Sequence, residues 1–279
     1  MKPYLSIVMG IGGDLTSDLL ARLQSSIDNL NALARQFRLD AELIVVEWNM
    51  PEIFIGLTKL VDFKKDVPTR IIHTPRSLHA QAFNPHGFRY FEWYPKNIGI
   101  RRARGEFVLS TNPDDLFSPA MIQFLASKKL EHGKFYRAHR HDTQAGKVYR
   151  ICRETGCFPP DTPEEFIRSH PAKHAAPWSE NMIHYNASGD FTLMGRAEWK
   201  LIHGNPEREY NHSVDGQTLW QAHLNDLQQV VLPYPIYHPD HARTLNHAFA
   251  PEWDDCQPHS KKNDHYWGFA GMEFQETVI

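Results

Sequence analysis

Two adjacent carboxylates stand directly behind a short apolar segment in GEFVLSTNPDDLFSPAMIQFL, residues 105–125. Residues 107–109 read as a buried strand, and Asp114 and Asp115 follow it closely. Their charges repel, and a divalent cation, which prefers oxygen ligands and bridges readily to phosphates, would relieve that repulsion. A structural role is the alternative, because Ser118-Pro119 is typical of a helix start and acidic residues near a helix start are favourable. The pair alone leaves both roles open.

Strands and helices alternate along the chain around this pair. Apolar runs predict strands, and leucines at helical spacing behind the cap residues Asp14, Thr16 or Ser17 predict a long helix. The predicted strands are 5–9, 41–48, 69–75 and 106–110, and a short helix is predicted at 96–103. This order is typical of an α/β fold with a Rossmann-like, mostly parallel sheet and helices on both faces.

Three polar features stand at the carboxyl ends of these predicted strands, where parallel sheets bind their ligands. A glycine turn at 10–13 follows the first strand, and Glu47 lies at the end of the second. The carboxylate pair follows the strand at 106–110. We therefore expect the three features to meet in one crevice.

The bulk composition excludes several classes of protein. The chain has 279 residues, and 30 Lys and Arg against 33 Asp and Glu give a net charge of −3. This balance provides no basic field for a duplex, so we expect no nucleic-acid partner. No apolar window reaches the length of a membrane span, and the N-terminus lacks the pattern of a signal peptide. Three cysteines are too few for a disulfide framework, so we expect a cytoplasmic protein.

Several segments carry a family resemblance. KNIGIRRARGEFVLSTNPDD, residues 96–115, resembles the part of family-2-type glycosyltransferases of the GT-A fold in which an Asn-led helix with A-x-G-E precedes a strand and an Asp-x-Asp-type motif. LSIVMGIGGD and Glu47 agree with the family in order and spacing. GDFTLMGRAEWKLIHGNPE, residues 189–207, resembles the acceptor-side segment, and Asp215 falls where the family has a helix-starting acidic residue. The resemblance covers roughly residues 4–242.

The sequence departs from the family pattern at two positions. Asn112 stands at the first acidic position of the metal motif, which leaves Asp114 and Asp115 to hold the ion. The acidic pair near the catalytic base is Val214-Asp215 here.

The resemblance implies a nucleotide-sugar and metal-binding half at residues 1–127 and a smaller acceptor-binding half of the same GT-A domain at 128–250. The composition of the sequence changes near residue 128, where apolar runs become shorter and Pro, His and aromatic residues become more frequent. We expect residues 251–279, which are polar with interleaved aromatic residues, to form a C-terminal flap or tail.

Carried over residue by residue, the resemblance implies a donor site at the strand ends. The glycine turn lets the backbone approach the nucleotide, and Glu47 accepts from the base or ribose. Arg101 shares a helix face with Asn97 and reaches a phosphate, with a solvated helix face as the alternative. The implied donor residues are Gly10, Ile11, Gly12, Gly13, Glu47, Lys96, Asn97, Arg101, Asn112 and Asp114.

Histidines late in the chain resemble the element that completes the metal site in several GT-A enzymes. YPIYHPDHAR, residues 234–243, places His238, Asp240 and His241 behind a predicted apolar strand. The implied metal ligands, for Mn²⁺ or Mg²⁺, are Asp114, Asp115, His238 and His241. Surface histidines in a turn are one alternative. A zinc pair is another, although no cysteine or third histidine stands at matching spacing.

Together these features indicate a metal-dependent glycosyltransferase. It would move a sugar from a UDP- or GDP-sugar to a hydroxyl of a glycan or glycolipid. If it inverts, which we favour, a carboxylate deprotonates the acceptor, with Asp215 as the first candidate base and Asp190 as the second. If it retains, both residues are binding residues.

Two other classes of protein stay open. A nucleotidyltransferase could share the sheet and the carboxylates, but its phosphate-binding glycine loop would be basic, and GIGGDLTSD is acidic. A non-catalytic sugar-binding module has little use for the carboxylate pair. No transmembrane segment is expected, and peripheral contact with a membrane stays open.

Overall fold

The computed structural model describes residues 2–82, 84–85, 87–144, 183–185, 187–208, 214–241 and 262–279. The strands are β1 (Leu5–Gly12), β2 (Ala41–Trp48), β3 (Thr69–His73), β4 (Phe107–Ser110), β5 (Leu116–Phe117), β6 (Lys134–Gln144), β7 (Thr192–Gly195), β8 (Gln228–Asp240) and β9 (Gln275–Val278). The helices are α1 (Ser17–Phe37), α2 (Arg76–Gln81), α3 (Trp93–Arg102), α4 (Pro119–Ala126), α5 (Arg196–Ile202) and α6 (Val214–Leu224), with a 3₁₀ turn at Leu57–Lys59.

The strands form one mixed sheet in the order β5-β8-β6-β7-β4-β1-β2-β3-β9. β1 pairs in parallel with β2 and β4, β2 with β3, and β6 with β8. The pairs of β3 with β9, β4 with β7, β5 with β8 and β6 with β7 are antiparallel. In the described part of the chain, β1, β2, β3, β4, β6 and β8 therefore run one way and share one carboxyl edge. The predicted α/β fold with a mostly parallel sheet is confirmed.

Helices cover both faces of this sheet. Successive strand residues alternate between two apolar clusters: Ile7 of β1 belongs to one, and Val8 belongs to the other. The first cluster contains the apolar residues of α1 and α4, and the second contains those of α3, α5 and α6. Because both faces are buried, β2 is apolar at nearly every position, which is why its bounds of 41–48 are predicted correctly.

The ends of the predicted helices follow local chemistry. Of the three candidate caps of α1, Thr16 is the one used, and its hydroxyl accepts from the amide of Leu19. Ser118 caps α4 in the same way, with Pro119 in the first turn. Both side chains satisfy an amide that the helix itself leaves unbonded.

Five helices and strands of the described chain were not predicted: α2, β5, β6, α5 and β9. β9 comes from residues assigned above to a flap, and it forms the edge strand beside β3. Arg70 of β3 holds it there through two bonds to Glu276, at 3.0 and 2.8 Å, and also reaches Glu42 at 3.1 Å. The three cysteines and the side chain of Asp240 lie outside the described part.

Candidate active site

The loop behind β4 presents the two adjacent carboxylates in different directions. Oδ2 of Asp115 accepts from the hydroxyl of Thr111 and the amide of Asn112, both at 2.9 Å, so Asp115 closes the turn. Its other oxygen is buried without a hydrogen-bond partner among the described residues. Burial raises the pKa of Asp115 well above its usual range, and the charges of Asp190 and Asp114 add to this effect.

Asp114 points toward two late histidines and helix α1. Its Oδ2 lies 3.5 Å from Nε2 of His238 and 3.3 Å from Nε2 of His241. Arg22 of α1 donates to the same oxygen. Asp114, His238 and His241 each offer one possible ligand atom, and these three atoms lie within 4.8 Å of one another. The three residues therefore form a candidate metal site. Asp115 is not a member of this group.

The topology explains why these distant residues meet. Asp114 follows β4, and His238 lies near the end of β8, so both stand at the carboxyl edge of the sheet. Polar residues on one face of α1 fix the loop from outside: Ser26 donates to the carbonyl of Asp115 at 2.7 Å, and Asn29 exchanges two bonds with Phe117.

Attraction between opposite charges shifts the pKa values of Asp114 and His238. Burial alone would raise the pKa of Asp114, but hydrogen bonds from His238 and His241, with the charges of His238 and Arg22, hold it well below its usual range. Burial would lower the pKa of His238, but contacts with Asp114 and Asp142 raise it to about 10. The cluster therefore favours an ionised carboxylate facing a protonated imidazole, and a cation that binds there must displace that proton.

The fully buried ammonium of Lys96 joins the two sides of the site. It donates to Oδ1 of Asn112 at 2.6 Å and to the carbonyl of Gly189 at 2.8 Å, and it pairs with Glu92. Asn112 in turn donates to Oδ1 of Asp190 at 2.6 Å. Hydrogen bonds thus hold the loop behind β4 and the turn before β7 together.

The two candidate bases differ in how their oxygens are engaged. Asp190 accepts from Asn112 on one oxygen and from Arg140, at 2.7 Å, on the other. Asp215, in the first turn of α6, accepts on Oδ2 alone, from the hydroxyl of Ser188 at 2.6 Å and the amide of Gly189 at 2.9 Å. In the described part of the chain, no group donates to its Oδ1.

Glu92 is a carboxylate of this region that the sequence analysis did not identify. A Cβ added to Gly189 would lie 3.1 Å from Glu92 Oε1 and 3.6 Å from Asp215 Oδ2, so two carboxylates converge on this glycine. Burial raises the pKa of Glu92, Lys96 lowers it, and the charges of Asp215 and Asp190 raise it further. A side chain at position 189 would therefore contact both groups.

The glycine turn after β1 packs against the chain itself. A Cβ on Gly12 would stand 1.6 Å from the carbonyl oxygen of Trp48, and one on Gly10 would stand 2.6 Å from the hydroxyl of Tyr90. Gly13 has a φ of +69°, which favours glycine. These close approaches are to protein atoms, and the donor-binding role of Gly10, Ile11, Gly12 and Gly13 stays a prediction.

Glu47 is buried at the end of β2. Its Oε2 lies 2.6 Å from Nδ1 of His73, whose Nε2 lies 2.8 Å from the hydroxyl of Thr277 on β9. Its Oε1 is buried and has no hydrogen-bond partner in the described ranges. Glu47 thus keeps one buried acceptor oxygen that no described group donates to.

Asn97 and Arg101 face a different part of the molecule. Asn97 donates to the carbonyl of Asn205 at 2.8 Å and to Glu207 at 2.9 Å. Arg101 stacks on Trp267, 4.8 Å from its ring centre, and donates to the carbonyl of the same residue at 3.0 Å. The structure therefore does not bring Asn97 and Arg101 together with Asp114, and both hold neighbouring segments of the chain.

Comparison with solved structures defines the fold. Three structures of S. aureus TarS 1–349 match this chain with 15 to 16% sequence identity. The complex with UDP-GlcNAc gives a TM-score of 0.55 over 88% of this chain, and the complex with UDP gives 0.53 over 85%. The third TarS structure gives 0.52 over 84%. This is the GT-A fold.

The similarity to known proteins is limited to the fold. No protein-family model matches the sequence, and no curated protein matches it either. The chain spans about 60% of the length of the matched TarS structures, with 61% covered in the UDP-GlcNAc complex. The likeness at 15% identity therefore establishes the architecture.

Several polar residues around the GT-A strand ends were missed from sequence. Arg22, Arg140 and Asp142 contact the candidate site from helix and strand positions far from its motifs. One signal was available for Arg22, because Arg22, Ser26 and Asn29 repeat at helical spacing directly beside the apolar residues Leu23, Ile27 and Leu30. Among the described helices, none is both long and apolar enough to cross a membrane.

Proposed function

We propose that this chain is a metal-dependent glycosyltransferase that transfers a sugar from a UDP-sugar to a hydroxyl of a glycan or glycolipid. The observation that carries the proposal is the group of Asp114, His238 and His241 at the carboxyl edge of a GT-A sheet. Ligands of open α/β sheets bind at this edge.

The donor set suits a first-row divalent cation. Two donors that share such an ion stand about 3–3.6 Å apart, and Asp114 lies 3.5 and 3.3 Å from the two imidazole nitrogens. Imidazole is a poor ligand for Mg²⁺, whereas a mixed nitrogen and oxygen set accepts Mn²⁺ or Zn²⁺. We propose Mn²⁺, held by Asp114, His238 and His241. The ion would offset negative charge on the departing diphosphate.

The proposed donor is a UDP-sugar rather than a GDP-sugar. Two matched TarS structures contain UDP-GlcNAc and UDP, which supports the uridine nucleotide for a chain of the same architecture. Glu47 is the proposed partner of the base or ribose, because its Oε1 is buried with no donor in the described residues. We retain residues 1–127 as the proposed donor half and 128–250 as the proposed acceptor half.

Inverting transfer needs a base beside the acceptor hydroxyl. We propose Asp215 for this role, because two hydrogen bonds hold its Oδ2 while no described group donates to Oδ1. Asp190 is proposed as a residue that organises the acceptor side, since both of its oxygens are already bonded.

A panel of nucleotide sugars tests the proposal. We expect UDP-sugars to raise the melting temperature only when Mn²⁺ is present, and one of them to be hydrolysed slowly in the absence of acceptor. A GDP-sugar should have little effect. Stabilisation by UDP-sugars without any hydrolysis or transfer would indicate a non-catalytic binding module. Release of pyrophosphate from UTP and a sugar phosphate would indicate a nucleotidyltransferase.

A further inference from the structure

Asp142 and His238 are direct neighbours on two parallel strands. β6 and β8 pair with Asp142 in register with His238, beyond an irregularity between Ala138 and Arg140. Residues in register on parallel strands project to the same face of the sheet. Oδ1 of Asp142 lies 3.5 Å from Nδ1 of His238, and the two side chains are only 10% and 14% exposed. Water therefore screens this contact weakly.

The two ring nitrogens of His238 face different carboxylates. Nε2 faces Asp114, a proposed metal ligand, and Nδ1 faces Asp142. A histidine that ligates a metal through one nitrogen usually donates from the other to a carboxylate, which fixes the tautomer and the ring orientation. We infer that Asp142 is a positioning residue that holds His238 with Nε2 turned to the metal. This inference rests on the metal site of the proposed function.

Arg140 contacts the same oxygen of Asp142 that faces His238. Its Nε lies 3.1 Å from Oδ1 of Asp142, and its Nη1 lies 2.7 Å from Oδ2 of Asp190. A guanidinium presents its donors in a rigid planar fork, so it sets the distance between the two carboxylates that it bridges. Asp190 continues the contacts to Asn112. One chain of charged and polar contacts thus joins the metal ligand His238 to the acceptor side.

The decisive experiment measures Mn²⁺ affinity by titration calorimetry, without donor or acceptor. Asp142→Asn should weaken Mn²⁺ binding by roughly 10- to 100-fold. Asp142→Glu keeps the charge and should lose less affinity than Asp142→Asn. It also provides a second variant if the amide disturbs folding.

Glu198→Gln is the matched control. Glu198 is a buried carboxylate that faces Nδ1 of His132 at 3.0 Å, and His132 is not part of the metal group. Its loss should lower the melting temperature and leave Mn²⁺ affinity unchanged. A purely structural role for Asp142 predicts the same behaviour for both sites.

The outcomes separate this inference from the proposed function. If the wild-type protein binds no Mn²⁺, the proposed metal site and this inference both fail. If the wild type binds Mn²⁺ and Asp142→Asn and Asp142→Glu bind it equally well, this inference alone fails. An equal loss of affinity in Glu198→Gln would also overturn it, because general destabilisation would then explain the effect.

Discussion

Asp114 and Asp115 are adjacent in sequence, but their side chains make different contacts. The Oδ2 atom of Asp114 faces Arg22, His238 and His241, whereas that of Asp115 binds the turn of which it is part. An amide at position 115 would keep an acceptor oxygen for this turn. An amide at position 114 would remove the negative charge that the histidines face. The same substitution should therefore have different consequences at the two positions.

We predict that Asp114→Asn abolishes Mn²⁺-dependent transfer and weakens Mn²⁺ binding by roughly 100-fold or more, because losing a charged ligand should cost at least as much as losing a residue that only orients a ligand. Asp115→Asn should bind Mn²⁺ within a few-fold of the wild type. Titration calorimetry with both variants makes the measurement, and circular dichroism checks that each is folded. Equal losses in both variants would show that Asp115 is also a ligand. Transfer that persists in excess EDTA would rule out the metal site.

The two candidate bases, Asp215 and Asp190, give the second prediction. Asp215→Asn should lower kcat by roughly 10²-fold or more, because a base that takes the proton acts in the transition state. Asp190→Asn should mainly raise the KM for acceptor, because we propose that Asp190 organises the acceptor-binding surface. Steady-state kinetics with varied acceptor separates the two patterns. A product that retains the donor's anomeric configuration would contradict the base assignment, whatever the variant does.

Sequence reasoning found the proposed ligands and missed the residues that hold them. Asp114 and His238 follow predicted strands, and strand ends can be placed from apolar patterns. Asp142 and Arg140 lie in a strand that reads KFYRAHRHDTQ, where no apolar alternation marks the element. Their partners are His238 and Asp190, which are distant in sequence, so only the assembled sheet reveals the contacts.

Among the strands, burial of both faces of the sheet decided which strands could be predicted from sequence. β2 is apolar along its length because helices cover both of its sides, and its bounds are recovered from sequence. β9, with the sequence QETV, has exposed ends and lies at the edge of the sheet. Pairing with β3 and an ion pair with Arg70 hold it there, and neither feature is visible in its own composition.

The edge strand gives a third prediction, on pH-dependent stability. Hydrogen bonds from Arg70 lower the pKa of Glu276 below its usual value of 4.5, although burial opposes them. The ionised form therefore stabilises the fold above pH 4.5, and this contribution is lost as the pH falls through the lowered pKa. Glu276→Gln should lower the free energy of unfolding by about 1 kcal/mol at pH 7, a modest value because Glu276 is partly exposed.

Urea unfolding at several pH values measures this difference. The wild type and Glu276→Gln should converge in stability under acidic conditions, where both side chains are neutral. Glu273→Gln, at an exposed position of the same segment, is the control and should match the wild type at every pH. A difference between Glu276→Gln and wild type that stays constant down to strongly acidic pH would contradict the electrostatic explanation.

For the whole molecule, the GT-A sheet brings residues from widely separated segments to one edge. The loop behind β4 and the turn before β7 meet through Lys96, whose ammonium contacts both Asn112 and Gly189. A ligand bound on one side can therefore affect the order of the other. The fold itself was predictable because its parallel half has strong apolar strands, whereas the second half contains polar strands and was predicted only through the resemblance.

The fourth prediction concerns coupling between metal and nucleotide. If Mn²⁺ bridges Asp114 and the diphosphate, it should tighten UDP binding by roughly tenfold or more, within the usual range of coupling between sites. By linkage, UDP must tighten Mn²⁺ binding by the same factor. Calorimetric titrations in both orders make the test, with His238→Ala expected to lose most of the coupling. Identical UDP affinities in Mn²⁺ and in EDTA would contradict it.

The pairing of β9 with β3 also bears on how the protein acquires its structure during synthesis. The ion pair between Arg70 and Glu276 joins residues 206 positions apart. A ribosome releases β1 to β4 long before β9, so the edge of β3 has no partner strand for most of translation. An unpaired edge is a site of aggregation. We therefore expect the nascent chain to depend on chaperones until β9 emerges, and a chain arrested before residue 275 to aggregate more readily than one that includes β9.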